Sequence, residues 1–147
     1  MSILLSQTEA DALIAMQKRA TNTSTQLFPG PGGKLVIELE SLDRSEDFFV
    51  DVSRGRIDLK KITYQNRARE IIVLMRLDLN GPPHRNPDGQ TIPCPHLHLY
   101  REGFGDKWAF PVPQHRFGHL NNLATTLTDF LNECNVVEHP TIQVGLF

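Results

Sequence analysis

A chain of 147 residues, 39% hydrophobic and 22% charged, is the size of one domain with one core, and ten Gly and ten Pro predict many turns without low-complexity bias; global disorder is excluded. No apolar run reaches the ~20 residues needed to span a bilayer, and Met1–Leu5 gives way to polar residues too soon for a signal peptide, so a soluble cytoplasmic protein without membrane association is expected. The formal net charge of −2 argues against non-specific wrapping of nucleic acid, and Cys94 and Cys134, far apart in the chain, form neither a disulfide framework nor a C-x-x-C motif; both are expected to be reduced.

Ser6 and Glu9 form an S-x-x-E capping box, which predicts a helix from about Gln7 to about Ala20. Thr21 to Gly33 has no periodicity and reads as a loop. Leu35, Ile37 and Leu39 alternate with Val36, Glu38 and Glu40, and Phe48, Val50 and Val52 with Phe49 and Asp51, predicting a hairpin across Ser41–Glu46. A third strand is expected from Ile57 to Tyr64, with a bulge near Lys60-Lys61. Charge segregates here: Glu38 to Asp51 holds six acids and one base, Arg54 to Arg69 six bases and one acid. Either two strand faces pair by opposite charge, or the basic strip meets a polyanion. Glu70 to Leu79 is apolar almost throughout, as in a strand covered on both faces near the sheet centre, although its end carries Arg76 and Asp78, and Asn80 to Pro95 is a Pro/Gly-rich loop. His96 to Glu102 alternates as a strand, and Lys107 to Val112 returns as an edge strand. Leu120, Leu123, Ala124, Leu127, Phe130, Leu131 and Cys134 mark an amphipathic helix, and Thr141–Val144 could add a last strand. The expectation is a single α+β domain over residues 1–147: an antiparallel sheet of five or six strands with an N-terminal and a C-terminal helix.

Alternation with period two puts Arg76 and Asp78 on one strand face, and His96, His98, Tyr100 and Glu102 on one face of another. If the two strands pair, their polar rows merge into a patch of one guanidinium, two carboxylates, two imidazoles and a phenol. The loop between them adds His84 and Arg85; Lys107 or Trp108 could join from the edge strand. Such a row suits metal-independent RNA cleavage. Paired histidines titrate near neutrality and can serve as acid and base, Arg76 can face the phosphate, Asp78 or Glu102 can orient an imidazole, and Tyr100 can donate a proton or stack a base. It also fits a metal site, since H-x-H on a strand aims both rings one way and H-x-H-x-x-x-E partly follows the cupin pattern, although that fold lacks a long C-terminal helix. A third use is a binding surface without catalysis, with the acidic Glu38–Asp51 stretch mimicking phosphates, as in an inhibitor of a host defence system. His115, His119 and His139 read as capping or surface groups, and Cys94 as structural.

The chain, especially LMRLDLNGPPHRNPDG and PCPHLHLYREGFGDKWAFP, resembles an uncharacterised family of small bacterial and phage proteins. Over about residues 74 to 100, the run Arg-x-Asp, Pro-His and Pro-His-x-His is similar to the motif of TumE-type toxins, small ribonucleases encoded beside a helix-turn-helix antitoxin. That resemblance places Arg76, Asp78, His84, His96 and His98 at the family's motif positions. The function expected is therefore an endoribonuclease, the toxin of a toxin-antitoxin pair, that needs neither metal nor cofactor. RNA is the expected partner, with a helix-turn-helix antitoxin and a second copy of the chain as further candidates. The catalytic set is His96, His98, His84, Arg76, Asp78 and Tyr100, and the binding set Arg85, Glu102, Lys107 and Trp108.

Overall fold

The structure, a computed structural model, describes residues 5–145. Helix α1 (Gln7–Ala15) starts at the expected capping box, with Ser6 Oγ accepting from Glu9 N–H and the Glu9 carboxylate accepting from Ser6 N–H. It ends five residues earlier than the pattern predicts. Met16 leaves helical geometry at ψ 132°, and Lys18–Ala20 forms strand β1 instead. The Lys18 ammonium is the reason: buried, it donates to the carbonyls of Ile14, Met16 and Cys134 at 3.0, 2.8 and 2.7 Å. Carbonyls left open at a helix end need donors, and here a lysine supplies them.

After β2 (Gln26–Leu27), strands β3 (Lys34–Ser41), β4 (Asp47–Arg54), β5 (Ile62–Ala68) and β6 (Ile72–Leu79) form an antiparallel meander. The third strand starts later than expected, because Ile57 belongs to an exposed loop, 97% accessible, rather than to the sheet. The β5–β6 register skips Leu74, so the bulge falls there and not at Lys60-Lys61. Pairing by opposite charge is seen at two of the bases of the Arg54–Arg69 stretch: Arg67 on β5 makes a two-pronged contact with Asp51 on β4 at 2.6 and 3.0 Å, and Arg69, just past β5, meets Glu46 at 2.9 Å.

Two short strands, β7 (His84–Arg85) and β8 (Thr91–Ile92), make a small hairpin inside the expected loop. The chain then passes a cis Cys94–Pro95 peptide into β9 (His96–Leu99) and returns through β10 (Ala109–Pro111). Helix α2 (Leu123–Glu133) follows, N-capped by Asn122, and then β11 (Val136–Glu138) and β12 (Ile142–Gln143). Among the described residues the main sheet has eight strands, in the order β10-β9-β6-β5-β4-β3-β1-β11, which corrects the expected five or six. The extra members, β1 and β11, pair in parallel and are too short to show a period of two.

The sheet has two unlike faces. Ile37, Val50, Ile62, Tyr64, Leu77 and Leu97 pack beneath α2, whose Leu127, Phe130 and Leu131 are buried against them. The opposite face carries alternate polar residues of β4, β5, β6 and β9, with no helix over it among the described residues, so β6 is roofed on one face and not on both as its apolar run predicts: Arg76 and Asp78 face the open side.

Candidate active site

Strands β6 and β9 are neighbours, in a register that sets Arg76 opposite His98 and Asp78 opposite His96. The two polar rows do merge. Asp78 is the hub: its Oδ2 lies 3.2 Å from His96 Nε2 and 3.2 Å from His98 Nε2, while its Oδ1 accepts from Thr63 Oγ1 at 3.3 Å and faces Arg76 Nε at 3.2 Å. Burial alone would raise the Asp78 carboxyl. The hydrogen bond to His98 and the charges of Arg76, His98 and His96 together outweigh that and hold it at about 2.

Each imidazole is aimed by a backbone carbonyl. His98, fully buried, donates from Nδ1 to Asp106 O at 2.8 Å, and its Nε2 lies between the Asp78 carboxylate at 3.2 Å and Arg76 Nη2 at 3.0 Å. His84 donates from Nε2 to Lys107 O at 2.7 Å, and its Nδ1 makes no hydrogen bond among the described residues. His96, 2% exposed, sits between two acceptors, Asp78 Oδ2 and Pro93 O, the latter 3.3 Å from Nδ1. The ring centroid of His84 lies 4.6 Å from that of His98 and 6.0 Å from that of His96.

A pocket of about 210 Å³ opens over this cluster on the helix-free face, lined by Lys61, Thr63, Arg76, Asp78, His84 and His96 among others. Its rim is held by Cys94, whose Sγ accepts from Gly81 N–H at 3.1 Å and donates to Asp78 O at 3.2 Å, a structural role as expected.

The ligand atoms of Asp78, His96 and His98 lie within 4.8 Å of one another, a spacing that could hold a metal ion. A cation already stands among them, however. The Arg76 guanidinium touches Asp78 and His98 and also binds Asp106 at 2.8 Å, and a metal would have to displace it.

The structure therefore gathers Arg76, Asp78, His84, His96 and His98. The other candidates lie elsewhere. Tyr100 follows the end of β9, opposite the bulged Leu74, and turns to the helix side, where its hydroxyl donates to Leu5 O at 2.7 Å and accepts from Leu5 N–H at 2.6 Å. Glu102 accepts from Gln7 N–H at 2.7 Å and so ties the β9–β10 turn to α1. Trp108 carries the Arg101 guanidinium 4.4 Å over its ring, Lys107 contributes its carbonyl while its side chain is exposed, and Arg85 is exposed on β7. Sequence reasoning missed Asp106 and Thr63, and had Lys61 only as part of the basic Arg54–Arg69 strip. Thr63 and Lys61 had a signal, since the alternating face of β5 adjoins that of β6; Asp106 lay in a turn, where no period applies.

Fold and site together define an α+β protein with a histidine–carboxylate pocket on the open face of an eight-stranded, mainly antiparallel sheet. The chain belongs to DUF6978, a family of unknown function, which matches residues 5–136. No curated protein and no solved structure matches the chain. Among the described residues no helix is long and apolar enough to cross a membrane.

Proposed function

We propose that the protein is a metal-independent endoribonuclease, the toxin of a toxin-antitoxin pair. The observation that supports this best is the placing of two differently prepared imidazoles on one pocket. His84 has its Nε2–H fixed by a carbonyl and its Nδ1 open to take a proton, as a base needs; His96 lies between two acceptors, Asp78 and Pro93 O, which orient it to hand a proton on.

His84 Nδ1 removes the proton of a ribose 2′-hydroxyl, and the 2′-oxygen attacks the adjacent phosphorus. The bond to the 5′-oxygen breaks, and that oxygen takes a proton from His96. The products are a 2′,3′-cyclic phosphate and a 5′-hydroxyl. Asp78 holds the His96 imidazolium, and Arg76, engaged by Asp78, Asp106 and His98, fixes the charge balance of the cluster. Lys61, exposed at the pocket and without an ion pair among the described residues, follows the phosphate as negative charge grows on it.

The test is incubation of purified protein with an unstructured RNA in EDTA, with end-group analysis of the products. Wild type is expected to yield cyclic phosphate ends with a bell-shaped pH profile, and His84→Ala and His96→Asn to lower kcat by about 10²-fold to 10⁴-fold each. RNA left intact by wild type would refute the reading. So would activity abolished by chelator and restored by zinc, which would move the chemistry to a metal centre.

A further inference from the structure

The pocket of about 210 Å³ over the histidines is smaller than the ~300–1,000 Å³ usual for a ligand site, so a whole nucleotide would extend beyond it. A second cavity, of about 930 Å³, lies on the helix side at the same end of β5 and β6. The two are back to back. Lys60, Asn80 and Pro95 line the larger cleft, while the residues that follow them in the chain, Lys61, Gly81 and His96, line the catalytic pocket. Leu79 lines both, so the two cavities share a wall at this end of the sheet.

The larger cleft has the chemistry of a base site. Phe28, Leu59, Leu120 and Leu123 supply apolar surface, Arg54 and Lys60 supply positive charge, and no carboxylate is among its described lining residues. Three asparagines line it too. Asn80 donates to Asp58 and Asn122 caps α2, but the Asn121 amide makes no hydrogen bond among the described residues and is exposed. An amide with a free donor and a free acceptor is what reading a base edge requires. We infer that this cleft receives a nucleobase flanking the scissile phosphate of single-stranded RNA, with the strand crossing the Lys60–Lys61 ridge. The choice of ligand rests on the ribonuclease reading above. The apolar walls stack the base, Asn121 reads its edge, and Lys60 meets the intervening phosphate.

The probe is a 2′-O-methyl RNA tetranucleotide, whose blocked 2′-oxygens prevent cleavage, titrated calorimetrically against the full chain and its Lys60→Glu/Asn121→Asp variant. Both positions are exposed, so thermal melting checks that the variant is folded. Wild type is expected to bind and the variant to bind about tenfold more weakly or worse. On cleavable RNA, the variant's KM should rise by more than its kcat falls. Equal affinity of the two proteins, no binding by wild type, or tight binding of a polyglutamate peptide instead would overturn the base site. Probe binding that needs Lys60 and Asn121, in a protein that cuts no RNA, would uphold the base site and defeat the cleavage reading. Cleavage with unchanged probe affinity in the variant would do the reverse.

Discussion

Asp78 concentrates the chemistry of the pocket in one side chain. Its carboxyl is held at about 2, below the ~3.9 of an aspartate in an unfolded chain, so the ionised group stabilises the fold. The sign follows directly: that stabilisation is complete above about pH 4 and is lost as pH falls toward 2. Asp78→Asn keeps the shape but removes the charge that faces Arg76, His96 and His98. Urea unfolding at pH 7 should show a loss on the order of 2 kcal/mol, and the gap between wild type and variant should close at about pH 2. A gap that stayed constant with pH would mean that the ionised carboxylate does not stabilise the cluster.

Single elements depend on individual buried groups just as strongly, and Lys18 shows it. Its ammonium joins the end of α1 to the end of α2 through the carbonyls of Ile14, Met16 and Cys134, with the Phe48 ring 4.6 Å away. Lys18→Met would leave those carbonyls without their donor, at an expected cost of about 2–4 kcal/mol in chemical denaturation. Burial, opposed by a weaker interaction with Cys134, lowers the Lys18 pKa to about 8. The ionised form therefore costs the fold energy below about pH 8, and wild type should gain stability between about pH 8 and 10 while Lys18→Met does not. The same residue explains why α1 reads too long in the sequence: Leu13, Met16 and Ala20 keep a helical spacing, and only the tertiary setting of a lysine shows where the helix stops. The longer elements were legible, β3, β4 and α2 because alternation or a heptad-like stripe reports which face is buried, and β6 because a near-continuous apolar run marks a strand inside the sheet. Strands of two or three residues such as β7, β8 and β11 carry no period, and their pairing is decided by neighbours far along the chain.

At the scale of the whole molecule, the pairing of two histidine- and arginine-bearing strands could be read from their matching polar rows, because a shared face follows from a period of two. What could not be read was the departure of Tyr100, which needs the Leu74 bulge and the end of β9, nor the carbonyls of Asp106 and Lys107 that aim the rings. The core itself can be followed through its two thiols. Cys134 is fully buried and its thiol is pushed up to about 12 by burial, whereas Cys94 is half-buried at the pocket rim. A thiol reagent on native protein should label Cys94 alone, with Cys134 reacting only on unfolding, as mass spectrometry of labelled peptides would read. Equal labelling rates would mean that α2 does not seal the sheet.

The parallel partnership of β1 with β11 joins residues 18–20 to residues 136–138, and α2, which roofs the apolar face, lies just before the latter. On a ribosome, the strands bearing the histidines would emerge while that face is still bare and its far margin still waits for a mate. A nascent chain of this kind cannot mature piecemeal: it stays sticky and without a settled pocket until its last third is out, which exposes it most to chaperones and proteases during synthesis.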